Sequence, residues 1–237
     1  MIAIIEMPSY VHPHTRRTPT KYIQWVESAG ITPVCIPYDV NKKELLKCLD
    51  KVQGVLWTGG NIENSTYTKE QRNTYINTLY TTYEVAKKYN DNGRHYPIWG
   101  MCQGFELLVL FQHGKFYRKG LTKHEQEGKY PIHFFQSTKM TDWFSKKMID
   151  KMKTTKCIIQ HHMLGFDIED YPYLNIVSTQ DDFINIIEYK RYPFYGVQFH
   201  LETPFNSFSK QVSVEFALFL KKELNYYNYI NFIKSSL

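Results

Sequence analysis

The amino-acid sequence predicts an α/β fold in which a mostly parallel central sheet is flanked by helices on both faces. Three observations carry this. Up to Met101, four short β-rich runs alternate with segments of helical character, the pattern that parallel sheets produce because helices make their crossovers. Two glycine-bearing turns, Gly59-Gly60 and the one around Cys102, fall at the carboxyl ends of such runs, where open α/β sheets place their sites. Hydrophobic residues make up 43% of the 237 and are spread along the chain, enough to bury a sizeable core in one domain covering 1–237.

Residues 2–7 read as the first strand. TPTKYIQWVESAG, 18–30, has a cap-like start, apolar residues at Tyr22, Ile23, Val26 and Ala29, and a terminal glycine, so it reads as a helix. ITPVCIPY (31–38) is a second strand and NKKELLKCLDKV (41–52) a second helix with Asn41 as its N-cap. QGVLWT (53–58) is a third strand closed by Gly59 and Gly60. Residues 69–90 have helical character despite many Thr and Tyr, PIWGM (97–101) is a continuously apolar strand, and FELLVLF (105–111) opens the next helix. Residues 117–153 are polar and read as an irregular excursion over the sheet. KCIIQH (156–161), YLNIVST (173–179), FINIIEYK (183–190) and FYGVQFH (194–200) return to strands, and 209–224 closes the pattern as a helix. The tail 225–237 is peripheral, either a short helix or loosely held.

The net charge of +6 comes from scattered lysines, not from a basic run. No nucleic-acid partner is expected, and the charge is better matched to small anionic substrates. Four cysteines without a CxxC pair fit a reducing compartment. The opening MIAIIEMPSY lacks the features of a secretory signal, and no apolar run reaches the ~20 residues of a membrane span. The expected setting is cytoplasmic, or secreted or lysosomal if the chain is trimmed.

GMCQG, 100–104, has the form G-x-C-x-G between a strand and a helix. A sharp turn there presents a nucleophile in a strained conformation, and glycines two before and two after remove Cβ atoms that would clash. The alternative is a buried structural cysteine. At the start of a helix the thiolate of Cys102 would be stabilised by free amides and the macrodipole. The Gln103 N–H is then one oxyanion donor and the Gly59-Gly60 turn supplies a second, through Gly60. A base is needed, and in YGVQFHLETP His200 has Glu202 two residues on, on the same face of an extended chain, to fix its tautomer. Nine histidines include His12-Pro-His14 and His161-His162, but neither pair has metal-ligand spacing, so neither a metal nor another cofactor is expected. His124 and His133 read as surface residues.

Together, KYIQWVESAG, GVLWTGG, PIWGMCQGFELL and PFYGVQFHLETP resemble, in order, the folate-type γ-glutamyl hydrolases of the class I glutamine amidotransferase-like superfamily. The resemblance implies a flavodoxin-like three-layer sandwich that hydrolyses γ-glutamyl amide bonds, typically of folate poly-γ-glutamates, with Cys102 as nucleophile, His200 as base and Glu202 orienting it. It also implies that Glu106 and His162 lie near the bound glutamyl group, beside Gly59, and that a homodimer is possible. Glutamate at 106 separates these hydrolases from relatives that carry glutamine four residues after the nucleophile. Two departures stand out: Thr58 where the family usually has proline, and Leu201 between the histidine and the acid.

Specificity requires partners for an α-ammonium and an α-carboxylate. Glu106 is the candidate for the first and the basic residues near 15–21 for the second. Two other readings remain open from the sequence: a glutaminase subunit serving a separate synthase, and a γ-glutamyl-binding protein without turnover.

Overall fold

The computed structural model describes residues 1–9, 16–17, 20–61, 67–114, 120–169 and 171–226. In chain order the elements are β1 (Ile2–Ile5), β2 (Met7–Pro8), β3 (Arg16–Arg17), α1 (Thr20–Glu27), β4 (Pro33–Ile36), α2 (Lys42–Lys51), β5 (Val55–Trp57), α3 (Lys69–Asp91), β6 (Ile98–Met101) and α4 (Gln103–Phe111). There follow β7 (Leu121–Tyr130), β8 (His133–Phe134), α5 (Lys146–Thr154), β9 (Ile158–Phe166), β10 (Leu174–Gln180), β11 (Phe183–Tyr189), β12 (Phe194–Val197) and α6 (Ser207–Leu224).

Eight strands form one sheet in the order β4-β1-β5-β6-β12-β11-β10-β8. Pairings from β4 through β12 are parallel, and β11, β10 and β8 continue antiparallel. Alternation along each strand divides the core in two. Ala3, Ile5, Val55, Trp57 and Ile98 face α2, α3 and α4, whereas Ile2, Ile4, Leu56, Trp99 and Met101 face α1, α5 and α6. The predicted three layers follow from these two buried faces.

Local signals set the helix starts. The Asn41 side chain accepts from the Glu44 N–H, and Thr68 makes a reciprocal capping box with Gln71, which starts the 23-residue α3 despite its Thr and Tyr content. The region 117–153 departs from expectation. Its described part is not irregular: it holds the ten-residue β7, the short β8 and α5, and β7 pairs antiparallel with β9 as a separate ribbon. Outward positions of β7 are charged, Lys123, Glu125, Glu127 and Lys129, and inward ones are polar, His124 and Gln126, so hydrophobic alternation gives no strand signal. β9 runs to Phe166, five residues past the expected end, and β12 stops at Val197, before His200. An isolated bridge between Ile159 and His200 ties the ribbon to the carboxyl edge of the sheet. Of the tail, Asn225 and Tyr226 alone lie within the described residues.

The seam between β6 and α4 is packed backbone to backbone. A Cβ on Gly104 would collide with the Trp57 carbonyl oxygen, and one on Gly100 would stand 2.6 Å from the Gly104 carbonyl. Replacing Gly104 by Ala is expected to lower stability in urea denaturation by roughly 1–3 kcal/mol through overpacking, and to misplace the residue at the turn. Unchanged unfolding would mean that the seam has slack.

Candidate active site

The turn between β6 and α4 is strained where the G-x-C-x-G pattern predicts. Cys102 has φ 49° and ψ −111°, one of two non-glycine residues with positive φ among those described. Its N–H donates to the Val197 carbonyl at 2.8 Å and its own carbonyl accepts from the Glu106 N–H at 3.0 Å, so the sheet and the first turn of α4 hold it from both sides. Gln103, the first residue of α4, is buried directly after it.

His200 and Glu202 complete the constellation. His200 Nδ1 and Glu202 Oε1 are 2.7 Å apart across a turn past β12, not along an extended strand, and the intervening Leu201 is buried in the core. Burial would push the imidazole down, but the neighbouring Cys102 sulfur and Glu202 carboxylate raise it well above the usual histidine value. Its Nε2 also lies 3.4 Å from the His161 carbonyl. Such an arrangement supports nucleophilic attack on a carbonyl with the imidazole as proton carrier.

Gly59 lies against both groups: a Cβ there would stand 3.0 Å from His200 Cε1 and 3.1 Å from Cys102 Cβ. Its N–H is engaged by the Tyr22 hydroxyl at 2.8 Å, which leaves the neighbouring Gly60 as the glycine available for an oxyanion. A Cβ on Gly60 would stand 2.8 Å from Gln103 Oε1, so the Gln103 side chain packs against Gly60. Tyr22 is the residue that sequence reasoning missed. It reads as one apolar position of an amphipathic helix, yet its hydroxyl sits buried beside Glu202 and Cys102; burial first, then those charges, pushes it well above the usual tyrosine range.

Two cavities meet at Cys102, Gly60, Asn61 and His161. The first, about 720 Å³, is lined by Met7, Arg17, Lys21, Tyr22, His200 and Glu202 among others. The second, about 670 Å³, is lined by Gln103, Glu106, Leu107, Lys123, Glu125 and His162 among others. The histidine pair therefore splits: His162 is buried and lines the second cavity alone, while His161 is exposed and stands at the junction. His162 Nδ1 is 2.9 Å from the Leu164 carbonyl, to which it can only donate, so its buried, unpartnered Nε2 keeps a lone pair. Burial lowers this imidazole to about 4, which makes it neutral at neutral pH. His124, expected on the surface, is instead half-buried and 2.7 Å from Asp167 behind the same ribbon.

Glu106, one helical turn after Cys102, accepts from Gln198 Nε2 at 3.1 Å. Burial raises its carboxyl to about 7, against the pull of Gln198 and His200. No cluster of three metal-ligating side chains occurs among the described residues, and His12 and His14 lie outside them. No helix among those residues is long and apolar enough to cross a membrane.

Comparison with known proteins gives a consistent family. The family model described as Peptidase C26 matches residues 4–202, ending at Glu202. γ-Glutamyl hydrolase B of Dictyostelium discoideum is 26% identical over 209 residues, covering 81% of this chain and 58% of that protein. Mouse γ-glutamyl hydrolase is 27% identical over 198 residues, covering 76% and 59%. The chain thus spans less than two thirds of the length of these relatives. Among solved structures, a protein of Thermoplasma acidophilum described as a putative GMP synthase subunit superposes with a TM-score of 0.64 at 18% identity, covering 98% of this chain and 97% of that one. PurLQS from Thermotoga maritima gives 0.63 at 15% identity, covering 95% and 97%. These likenesses show the fold, a three-layer sandwich around a mostly parallel sheet.

The raised carboxyl of Glu106 has a stability consequence. The folded state holds this proton more tightly than the unfolded chain, so stability falls as pH rises from 4.5 toward about 7. Above that, ionised Glu106 costs up to about 3 kcal/mol. Glu106→Gln keeps an acceptor for Gln198 and removes the charge. It is expected to raise stability at pH 8 but hardly at pH 5; equal effects in urea unfolding at both pH values would contradict the assignment.

Proposed function

The chain belongs to the peptidase C26 family, and from that premise we propose that it is a cysteine hydrolase of γ-glutamyl amide bonds, with folate poly-γ-glutamates as its substrate class. The observation that carries this reading is the strained Cys102 in contact with the His200–Glu202 pair at the junction of two cavities, one of them walled by Glu106 and His162.

His200 takes the proton of the Cys102 thiol, the thiolate attacks the γ-carbonyl carbon, and the carbonyl oxygen takes up the negative charge. The Gln103 and Gly60 N–H groups face that oxygen, where fixed dipoles contribute most in a dry site. Collapse breaks the C–N bond, and His200 gives its proton to the departing amine. A γ-glutamyl thioester remains on Cys102. Water, deprotonated by His200, adds to it; collapse expels the thiolate and releases the γ-glutamyl acid. Glu202 carries no proton in this scheme: it holds the imidazole in the tautomer that keeps Nε2 toward the sulfur.

Glu106 and His162 supply recognition. Both residues line the second cavity, Glu106 with a carboxyl group and His162 with a neutral imidazole whose buried Nε2 has no partner. Above pH 7 the pair suits a donor on the α-nitrogen of the γ-glutamyl residue, the amide N–H of a poly-γ-glutamate or the ammonium of a free γ-glutamyl group. Because Glu106 must be ionised to pair with it, kcat/KM for substrates with a free α-amine is expected to rise with pH through about 7. The rise should vanish in Glu106→Gln, and its persistence there would assign it to another group.

Incubation with folate pentaglutamate and mass spectrometry of the products tests the reaction itself. Shortened tails support it; intact substrate at high enzyme concentration, with ammonia released from glutamine, would favour a glutaminase subunit instead. Cys102→Ala should abolish turnover, a loss of the order of 10⁴-fold or more, while the fold persists. Glu202→Gln should retain residual activity, since orientation is degraded but the nucleophile survives. Wild-type turnover in Cys102→Ala would exclude the thioester route.

A further inference from the structure

The two cavities differ in charge, and the difference follows the direction of the scissile bond. Among the described residues that line the first, Arg17 and Lys21 stand with one carboxylate, Glu202, which is turned to His200. In the second, Glu106, Glu125 and Glu127 stand against Lys123. A carbonyl attacked by Cys102, with its oxygen at Gln103 and Gly60, has its acyl chain on one side and its amine on the other. His200 lines the first cavity and not the second. The amine that must collect a proton from His200 therefore leaves into the first.

We propose that Arg17 and Lys21 form the leaving-group subsite and select γ-glutamyl amides whose departing amine carries carboxylate groups, an amino acid or an oligo-γ-glutamate, over those with a neutral amine. The inference rests on the reading that Cys102 hydrolyses γ-glutamyl amides. It also reassigns the basic residues near 15–21. They lie across the sulfur from Glu106, so they meet the departing product and not the α-carboxylate of the acyl residue, for which Lys123 is the cation in the second cavity.

Both side chains are placed by the backbone. Arg16 and Arg17 are adjacent in β3 and point to opposite sides. Arg16 Nε bonds Asp39 at 2.8 Å, while Arg17, opposite Met7 in register, lines the cavity. Lys21 sits in the first turn of α1 beside Tyr22, whose hydroxyl is anchored on Gly59. Both cations are exposed, so their pull is modest and screened by salt.

The test compares kcat/KM for γ-glutamyl-glutamate and for γ-glutamyl-p-nitroanilide, whose leaving amine is neutral, in wild type and in the double variant Arg17→Gln/Lys21→Gln at low and high salt. The ratio of the two values is expected to fall about tenfold in the variant, mainly through KM for γ-glutamyl-glutamate, and to lose most of its salt dependence. Lys21→Glu should shift preference further, toward the γ-glutamyl conjugate of a diaminoalkane. An unchanged ratio in both variants overturns the subsite while leaving γ-glutamyl hydrolysis standing. Failure of wild type to cleave either compound overturns the reading beneath it and the subsite together.

Discussion

The backbone at Cys102 is held at positive φ by contacts that admit no side chain on either flank, and the geometry of the site depends on that strain. Gly100 faces the backbone of Gly104, and Gly104 faces the carbonyl of Trp57 on the neighbouring strand. The sulfur cannot retreat into the core, because α4 begins immediately after it and β12 binds its N–H. A strained residue persists where its surroundings over-determine it, and two buried faces of a central sheet provide that rigidity. His200 and Glu202 need no comparable strain. They sit just past β12, where the bridge to Ile159 fixes His200 and the chain turns through buried Leu201.

What the sequence disclosed divides along the range of the interactions involved. The elbow, the H-x-E pair, the capping residue Asn41 and the parallel half of the sheet depend on neighbours within a few positions, and their residue types announce them. β7 does not, because its strand character comes from pairing with β9, some thirty residues on, and its inward residues are polar. Tyr22 was hidden for a related reason. A tyrosine on the buried side of an amphipathic helix looks like core, and the use of its hydroxyl appears when Gly59 and Glu202 are brought to it. The same limit applied to Arg17 and Lys21, which read as candidates for the α-carboxylate because the sequence does not show that they line the cavity on the far side of the sulfur from Glu106.

Two imidazoles beside one sulfur show how environment divides labour among identical side chains. His200 and His162 are both substantially buried, which disfavours charge on each. His200 gains a carboxylate and a sulfur as partners and goes up; His162 has a backbone carbonyl and goes down. In the proposed reaction the first suits a proton carrier and the second a neutral imidazole that stays fixed. Glu106 follows the same logic with the opposite sign, since burial keeps its proton until about pH 7.

The sheet and its helices leave the reaction underdetermined, since proteins of this architecture below 20% identity include one described as part of a GMP synthase. The discriminating walls come from elsewhere. Leu121, Lys123, Glu125, Gln126 and Glu127 of β7 and His161, His162 and Leu164 of β9 all line the second cavity. This ribbon lies outside the main sheet and is tied to it at the bridge between Ile159 and His200, so the strand that carries the acyl-side walls is joined to the residue that moves the proton. A displacement of the ribbon therefore changes recognition and catalysis together.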